Sequence, residues 1–402
     1  MPGIETVRAL LEERHLGLAA ELEAFARERL APLPAPESDA AARAQARELL
    51  RLLGEAGWLR HAFPADLGGS AHGPDLRACA LVREALAAAS PLADAVAALQ
   101  FLGGTPILLA GTPELRQRWL PAIAAGRAMA AFAMTEPEAG SDVAALRTTA
   151  RRDGAHYVLQ GHKTLISNAG LADVYVVFAS TDPAARHRGL SAFVVPADTP
   201  GLVFAGAQQP SAPHPLGELR LQDCRVPAAA RLGQEGEGFR LGMHTLDRLR
   251  PTVAAAACGM AARALAEAQA HALARTQFGK PLAEQPVVRH RLAGMAIELE
   301  AARLLTYRAA WEADRGREEQ LPLAAAMAKA FATEAAQRIV DGAVQVLGGR
   351  GVLVGEPVER LYRAVRALRI YEGTTEIQHL IIAGRLLGRP GARPQPDRAR
   401  DA

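Results

Sequence analysis

Apolar residues recur every three or four positions through ETVRALLEERHLGLAAELEAFARERL (residues 5–30), which predicts one amphipathic helix. AAARAQARELLRLLGEAG (40–57), ACALVREALAAA (78–89) and PELRQRWLPAIAAG (113–126) keep that period, and FPADLGGSAHGPD (63–75) interrupts it as a Gly- and Pro-dense loop. Near residue 150 the period changes. HYVLQGHKTLIS, DVYVVFAS, LSAFVVPAD and GELRLQDCRVP are short, rich in β-branched residues and separated by polar turns, as expected of antiparallel strands. From about residue 240 the helical period returns in three long runs: LRPTVAAAACGMAARALAEAQAHALART, VVRHRLAGMAIELEAARLLTYRAAWEAD and PLAAAMAKAFATEAAQRIVDGAVQVLGG. Their alanines favour helix and allow close helix–helix approach. Pro251 predicts a first turn or a kink, and Gly348 with Gly349 a stop. A last helix is expected after Thr374, with Thr375 and Gln378 spaced as a capping box.

Helices, strands and helices in succession give an α+β multidomain chain. Its parts are an N-terminal helical domain (1–130), a middle antiparallel β domain (131–240), a C-terminal four-helix-bundle-like domain (241–388) and a flexible Pro/Arg-rich tail (389–402). Strands and helices do not alternate, which excludes a doubly wound sheet.

Composition narrows the function. Of 402 residues half are hydrophobic, so a large core is available, and a net charge of +3 points to no polyanionic partner such as nucleic acid. Three scattered cysteines, Cys79, Cys224 and Cys258, predict no disulfide framework. The charged N-terminus and the charge-interrupted apolar runs predict no signal peptide and no membrane span, hence a cytoplasmic protein. No histidine spacing suits a metal, and no G-x-S-x-G elbow is present. GGRGVLVG (348–355) follows a helix rather than a strand, which disfavours a Rossmann site.

Three stretches remain open between structure and chemistry. AFAMTEPEAGSD (131–142) is either a domain-linking loop or a cradle of free backbone amides. Arg275 in RTQFGKPL either complements a helix dipole or meets phosphate. Glu372 in RIYEGTTEIQ is either a solvated turn residue or, if dried by an apolar face, a base with a raised pKa.

AMTEPEAGSD, ARTQFGKPL, AVQVLGGRGV and RLYRAVRALRIYEGTTEIQ stand in this order in one chain, and together they resemble the acyl-CoA dehydrogenase family over roughly residues 5–388. The resemblance implies that family's fold, bound FAD, an acyl-CoA substrate, dehydrogenation to the 2,3-enoyl thioester and an electron-transfer flavoprotein as acceptor. It also implies a homotetramer built as a dimer of dimers, or a homodimer. Carried over by position, Phe132, Met134, Thr135, Gly140 and Ser141 line the flavin, Ser141 also reaches CoA, and Leu165, Ile166 and Ser167 form the next flavin contact. Asp247 and Arg250 lie near the thioester and pantetheine arm. Arg275, Gln277 and Phe278 belong to a cross-subunit pyrophosphate contact, and Gln345, Val346, Gly348 and Gly349 receive a neighbour's adenine end. Thr374 and Glu376 touch the cofactor, Gly373 permits close approach, and Glu372 is the base. A rival base position in the family corresponds to Leu249, which cannot take a proton. Leu165, Pro286 and Ala364 replace the family's aromatic, Gln and Asp, and PSAPHPLGEL replaces an Arg-Gly-Ser run. The Leu165 departure keeps a flavin oxidase or monooxygenase on the same scaffold as an alternative. The Arg-rich tail keeps a non-catalytic, flavin-bearing nucleic-acid binder as another.

Overall fold

The computed structural model describes residues 4–388, so the tail expected at 389–402 lies outside the described residues. Six helices come first: α1 (Ile4–Val7), α2 (Glu13–Phe25), α3 (Asp39–Glu55), α4 (Leu76–Ala89), α5 (Pro91–Ala110) and α6 (Pro113–Ala124). The single helix expected over 5–30 is broken. Leu11 and Glu12 are extended, and Glu12 caps α2 reciprocally: its carboxylate accepts an amide of the first turn, and its own N–H donates to His15 Nδ1 at 3.0 Å. The cap divides what the apolar period joins. Four later helices start on short polar N-caps, Ser38, Asp75, Ser90 and Thr112, each accepting an amide three residues on. By length and composition α5 could cross a membrane, contrary to the sequence reading, but 67% of its apolar window is buried inside the protein. It packs as a core helix.

The middle of the chain forms an eight-stranded sheet of β1 (Ala130–Ala133), β2 (Thr149–Asp153), β3 (His156–Ser167), β4 (Val174–Ser180), β5 (Leu190–Pro196), β6 (Leu202–Ala207), β7 (Leu216–Pro227) and β8 (Arg231–Leu232). The strand order is β6-β7-β3-β2-β4-β5-β8, with β1 also on β4. Pairing is antiparallel except where β1 and β2 meet β4, two parallel contacts that alternation along a strand cannot reveal. Every residue of β4 is buried, so its apolar run is covered on both faces.

The C-terminal part holds α7 (Gly238–Ala274), a small hairpin of β9 (Thr276–Gln277) and β10 (Lys280–Pro281), then α8 (Pro286–Asp314), α9 (Leu321–Leu347), α10 (Pro357–Leu368) and α11 (Thr375–Leu387). Pro251 lies well inside α7 rather than in its first turn. Buried alanines of α7 and α9 make much of this second core. The closeness they allow is extreme at Gly259, where a Cβ would stand 2.0 Å from the Glu84 carbonyl oxygen of α4. Pro286 is the first residue of α8, where its missing N–H costs no helical bond. Gly348, at φ +60°, ends α9 as expected. The cap of α11 is shifted by one residue from the expected box: Thr374 accepts the Ile377 amide at 3.3 Å, and Thr375 instead donates to Glu334 at 2.7 Å.

Candidate active site

Glu372 sits in the turn between α10 and α11, and its backbone is unusual. Its φ is +55° and that of Gly373 is +92°, so two consecutive residues are left-handed. For a glutamate this costs on the order of 1–3 kcal/mol. Three buried donors hold the turn by its carbonyls. Arg250 Nε reaches Glu372 O at 3.0 Å, Lys329 Nζ reaches Gly373 O at 2.7 Å, and Gln378 Nε2 reaches Gly373 O at 2.9 Å. Gly373 is favoured by its φ, and a Cβ there would meet Gln378 Nε2 at 2.6 Å and have to displace that donor from the Gly373 carbonyl. Arg250 is itself oriented by Asp247, one turn back on α7. Among the described residues, no oxygen accepts from the Glu372 amide N–H.

The carboxylate is treated differently from the main chain. Its Oε2 is buried and has no hydrogen-bond partner. Burial raises the Glu372 pKa, against the pull of Arg83, Arg250 and Lys329. Burial also lowers the Lys329 ammonium to about 8, which Glu372 opposes.

Facing this turn, across a cavity of about 280 Å³, is the edge of the sheet domain. Phe132 and Met134 reach it from the end of β1, and Thr135, Gly140 and Ser141 from the loop that follows. That loop is pinned by a buried ion pair. Glu136 accepts Lys163 Nζ at 2.8 Å and the amides of Arg147 and Thr148 at 2.7 and 3.0 Å, while Lys163 also donates to Met134 O at 3.0 Å. Burial lowers Lys163 to about 8, and Lys163 with the two amides keeps Glu136 below its ordinary value, so both are ionised near neutral pH.

Leu165 enters the cavity by a local irregularity. The β3–β7 register shifts between Lys163 and Ile166, and Leu165, at φ +55°, is thrown outward with 56% of its surface exposed. Bulges re-aim side chains in this way. The Leu165 amide is held by Gln208 Oε1 at 2.9 Å. Ser167 follows on the same wall and meets His214 Nε2 at 3.3 Å. A slot with an exposed aliphatic side chain, an aromatic ring, hydroxyls and an open glycine, Gly140, suits a planar ring system with polar edges, and the residues present therefore fit a flavin.

Not every expected site residue joins this cavity. Ile166 is 1% exposed and points into the core, because side chains alternate along a strand. Asp247 orients Arg250 without lining the cavity. Thr374 is spent as a helix cap, and Glu376 is exposed on α11. Arg275, Gln277 and Phe278 form an exposed hairpin, Phe278 at 94%. Gln345, Gly348 and Gly349 are exposed at the end of α9, whereas the Val346 side chain is buried in the helical core and cannot offer a contact. Burial depresses the His271 pKa, and Arg350, just past α9, and Arg275, at the start of the hairpin, add to that effect.

Several cavity residues were not expected: Arg83 and Asp94 from α4 and α5, His214, and Tyr371 beside the base; Lys329 lies behind it. Charges inside apolar helical runs, as in ALVREALAAA and AAAMAKAFA, were the available signal for Arg83 and Lys329. A larger cleft of about 490 Å³ between α2, α4, α7 and α8 is lined mostly by small apolar residues, and two of its charges, Glu84 and Arg303, are paired at 2.9 Å.

The chain matches, in order, the acyl-CoA dehydrogenase N-terminal domain over residues 12–127, the middle domain over 131–224 and the C-terminal domain over 236–387. The chain belongs to the acyl-CoA dehydrogenase family. It is similar to the human mitochondrial short-chain specific acyl-CoA dehydrogenase, 41% identical over 84% of this chain and 82% of that protein. Among solved structures it is similar to butyryl-CoA dehydrogenase from Megasphaera elsdenii, at 34% identity and a TM-score of 0.87, covering 94% of this chain and 99% of that one. A chain in a structure of the electron transferring flavoprotein of Acidaminococcus fermentans also matches, at 36% identity and a TM-score of 0.87, covering 94% and 98%. As a member of this family the protein is an oxidoreductase with FAD as cofactor, and the three domains described above are those of the acyl-CoA dehydrogenase fold.

Proposed function

We propose that the protein dehydrogenates an acyl-CoA thioester to the 2,3-enoyl thioester, with Glu372 removing the α-proton. One observation carries this reading: a buried carboxylate oxygen without a partner, on a strained turn, across a cavity from a wall that fits a flavin. Bound FAD supplies the acceptor, at N5, for the hydride that leaves the β-carbon. The rest falls to the chain. Burial makes Glu372 a stronger base than a solvated glutamate. The Glu372 amide, which has no acceptor among the described residues, would meet charge growing on the thioester oxygen, a donor of a kind whose loss costs ~10²–10³ in rate. Arg250, Lys329 and Gln378 fix the turn and so hold the Glu372 carboxylate across the cavity from the wall that would hold the flavin. The rival base position, Leu249, is apolar and buried.

The direct test is anaerobic mixing of the FAD-loaded protein with an acyl-CoA panel. Flavin bleaching with slow re-oxidation in air is expected. Rapid peroxide formation would instead favour an oxidase, and absence of bleaching with every acyl-CoA would refute the reading. A second expectation concerns pH. Activity should rise as Glu372 loses its proton, at a pH above the ordinary carboxylate range, because its pKa is raised. The Lys329 charge pulls that pKa down, so Lys329→Met should move the acid limb of kcat to higher pH. A pH–rate profile checks this, and an unmoved limb would disconnect Lys329 from the base.

The exposed hairpin and α9 end support assembly: Arg275, Gln277 and Phe278, with Gln345, Gly348 and Gly349, would meet the FAD of a neighbouring subunit in a homotetramer or homodimer. Arg275→Ala should then lower the flavin-to-protein ratio after gel filtration without lowering thermal stability of the apoprotein. An unchanged ratio would contradict the assignment. An electron-transfer flavoprotein is the acceptor proposed for the electrons, in a cytoplasmic setting.

A further inference from the structure

Of the residues that line the cavity, Gly140 and Ser141 are exposed, whereas Arg83 and Asp94 are each 2% exposed. Arg83 lies on α4 and Asp94 on α5. Their pairing is bidentate, Nε to Oδ1 at 2.7 Å and Nη2 to Oδ2 at 2.9 Å, and Arg83 Nη1 also donates to Thr252 Oγ1 of α7 at 3.1 Å. Burial opposes the Arg83 charge, yet Asp94 outweighs it and holds the guanidinium above its ordinary pKa. Neither side chain has a buried polar atom left without a partner. The pair is therefore a wall with its hydrogen bonds satisfied, tying three helices together, and it leaves no open charge to bind an ionic acyl terminus. It lines the same cavity as the base, Glu372, and as Tyr371. Around it, Leu92, Ala95, Leu99 and Leu246 make an apolar sleeve.

A thioester with its CoA at the exposed mouth and its α-carbon at Glu372 must direct its remaining carbons into this sleeve. We infer that the Arg83–Asp94 pair closes the acyl end of the cavity and restricts the enzyme to short acyl groups. This rests on the dehydrogenase reading above. A long chain would have to separate a buried, doubly hydrogen-bonded ion pair, a disruption worth on the order of 10²–10³-fold. Each methylene that finds room is worth only about fourfold. Carbons that the wall keeps out of the sleeve find no room and gain nothing, so the loss is not offset.

The experiment measures kcat/KM for anaerobic flavin reduction by butanoyl-, octanoyl- and dodecanoyl-CoA. Wild-type protein is expected to lose at least ~100-fold from butanoyl to dodecanoyl. The paired replacement Arg83→Met with Asp94→Leu removes both charges while keeping volume, and should raise the octanoyl-to-butanoyl ratio by about tenfold or more. The ratio is read because losing Arg83 also alters Glu372, equally for every substrate. The charge-keeping Arg83→Lys should retain the short-chain profile. Should the double variant fail to fold, calorimetric binding of the unreactive S-butyl and S-octyl thioethers of CoA to wild-type protein decides, with S-butyl expected to bind more tightly. Comparable wild-type rates with all three chain lengths, an unchanged ratio in a folded double variant, or tighter S-octyl binding would each overturn the inference while leaving the dehydrogenase reading standing. No bleaching by any acyl-CoA would strike the underlying reading instead.

Discussion

Glu372→Gln is expected to keep its fold and its flavin and to lose dehydrogenation by at least ~10³-fold, the upper part of the range for a positioned general base. The amide nitrogen cannot accept a proton at any working pH. The fold should survive because the turn is held by its carbonyls, through Arg250, Lys329 and Gln378, and the Glu372 Oε2 that changes has no partner to lose. The sign of the stability effect is also fixed. The folded-state pKa of Glu372 lies above the ordinary 4.5, so the folded protein resists its ionisation. Any stability tied to this group is fully present below the unfolded value and is lost as pH rises through the raised one. The Gln variant should therefore be as stable as wild type at acid pH and more stable at neutral pH. Single-turnover flavin reduction and thermal melts across pH check both halves. Activity within tenfold of wild type would remove Glu372 from the chemistry.

Glu136→Ala is expected to be the most destabilising single change near the site. Lys163 is 0% exposed, and its ammonium would be left in the interior with only the Met134 carbonyl, while the Arg147 and Thr148 amides lose their acceptor. Breaking a buried pair in this way costs about 3–5 kcal/mol. The loop that carries Thr135, Gly140 and Ser141 would come loose, so flavin retention should fall together with stability. Replacing both partners, Glu136→Met with Lys163→Met, should recover much of the stability, because no charge then stays buried alone. Denaturant unfolding with flavin fluorescence separates the outcomes. A loss below about 1 kcal/mol for the single change would show that the pair does not pin the loop.

The helix–strand–helix order was legible because hydrophobic period is a local property, and one face of each element must be buried. Departures came where a local signal competed with that period. Glu12 and His15 capped a helix that the apolar pattern would have continued, and the cap of the last helix moved from Thr375 to Thr374 because Glu334 claimed the Thr375 hydroxyl. The membrane-like α5 shows the opposite failure: composition alone cannot tell a helix wrapped in protein from one wrapped in lipid.

By itself the sequence determined the fold class, the family and the candidacy of Glu372, because motifs and periods are written in neighbouring residues. Only the tertiary structure decided that one oxygen of this carboxylate is buried without a partner, that Leu165 turns outward at a bulge while Ile166 turns inward, and that Lys329 stands behind the base. It alone brought Arg83 and Asp94 together in the wall of the cavity. Burial, desolvation and ion pairing are set by atoms from helices far apart in the chain. Their energies depend on distance in space, which no spacing along the sequence encodes.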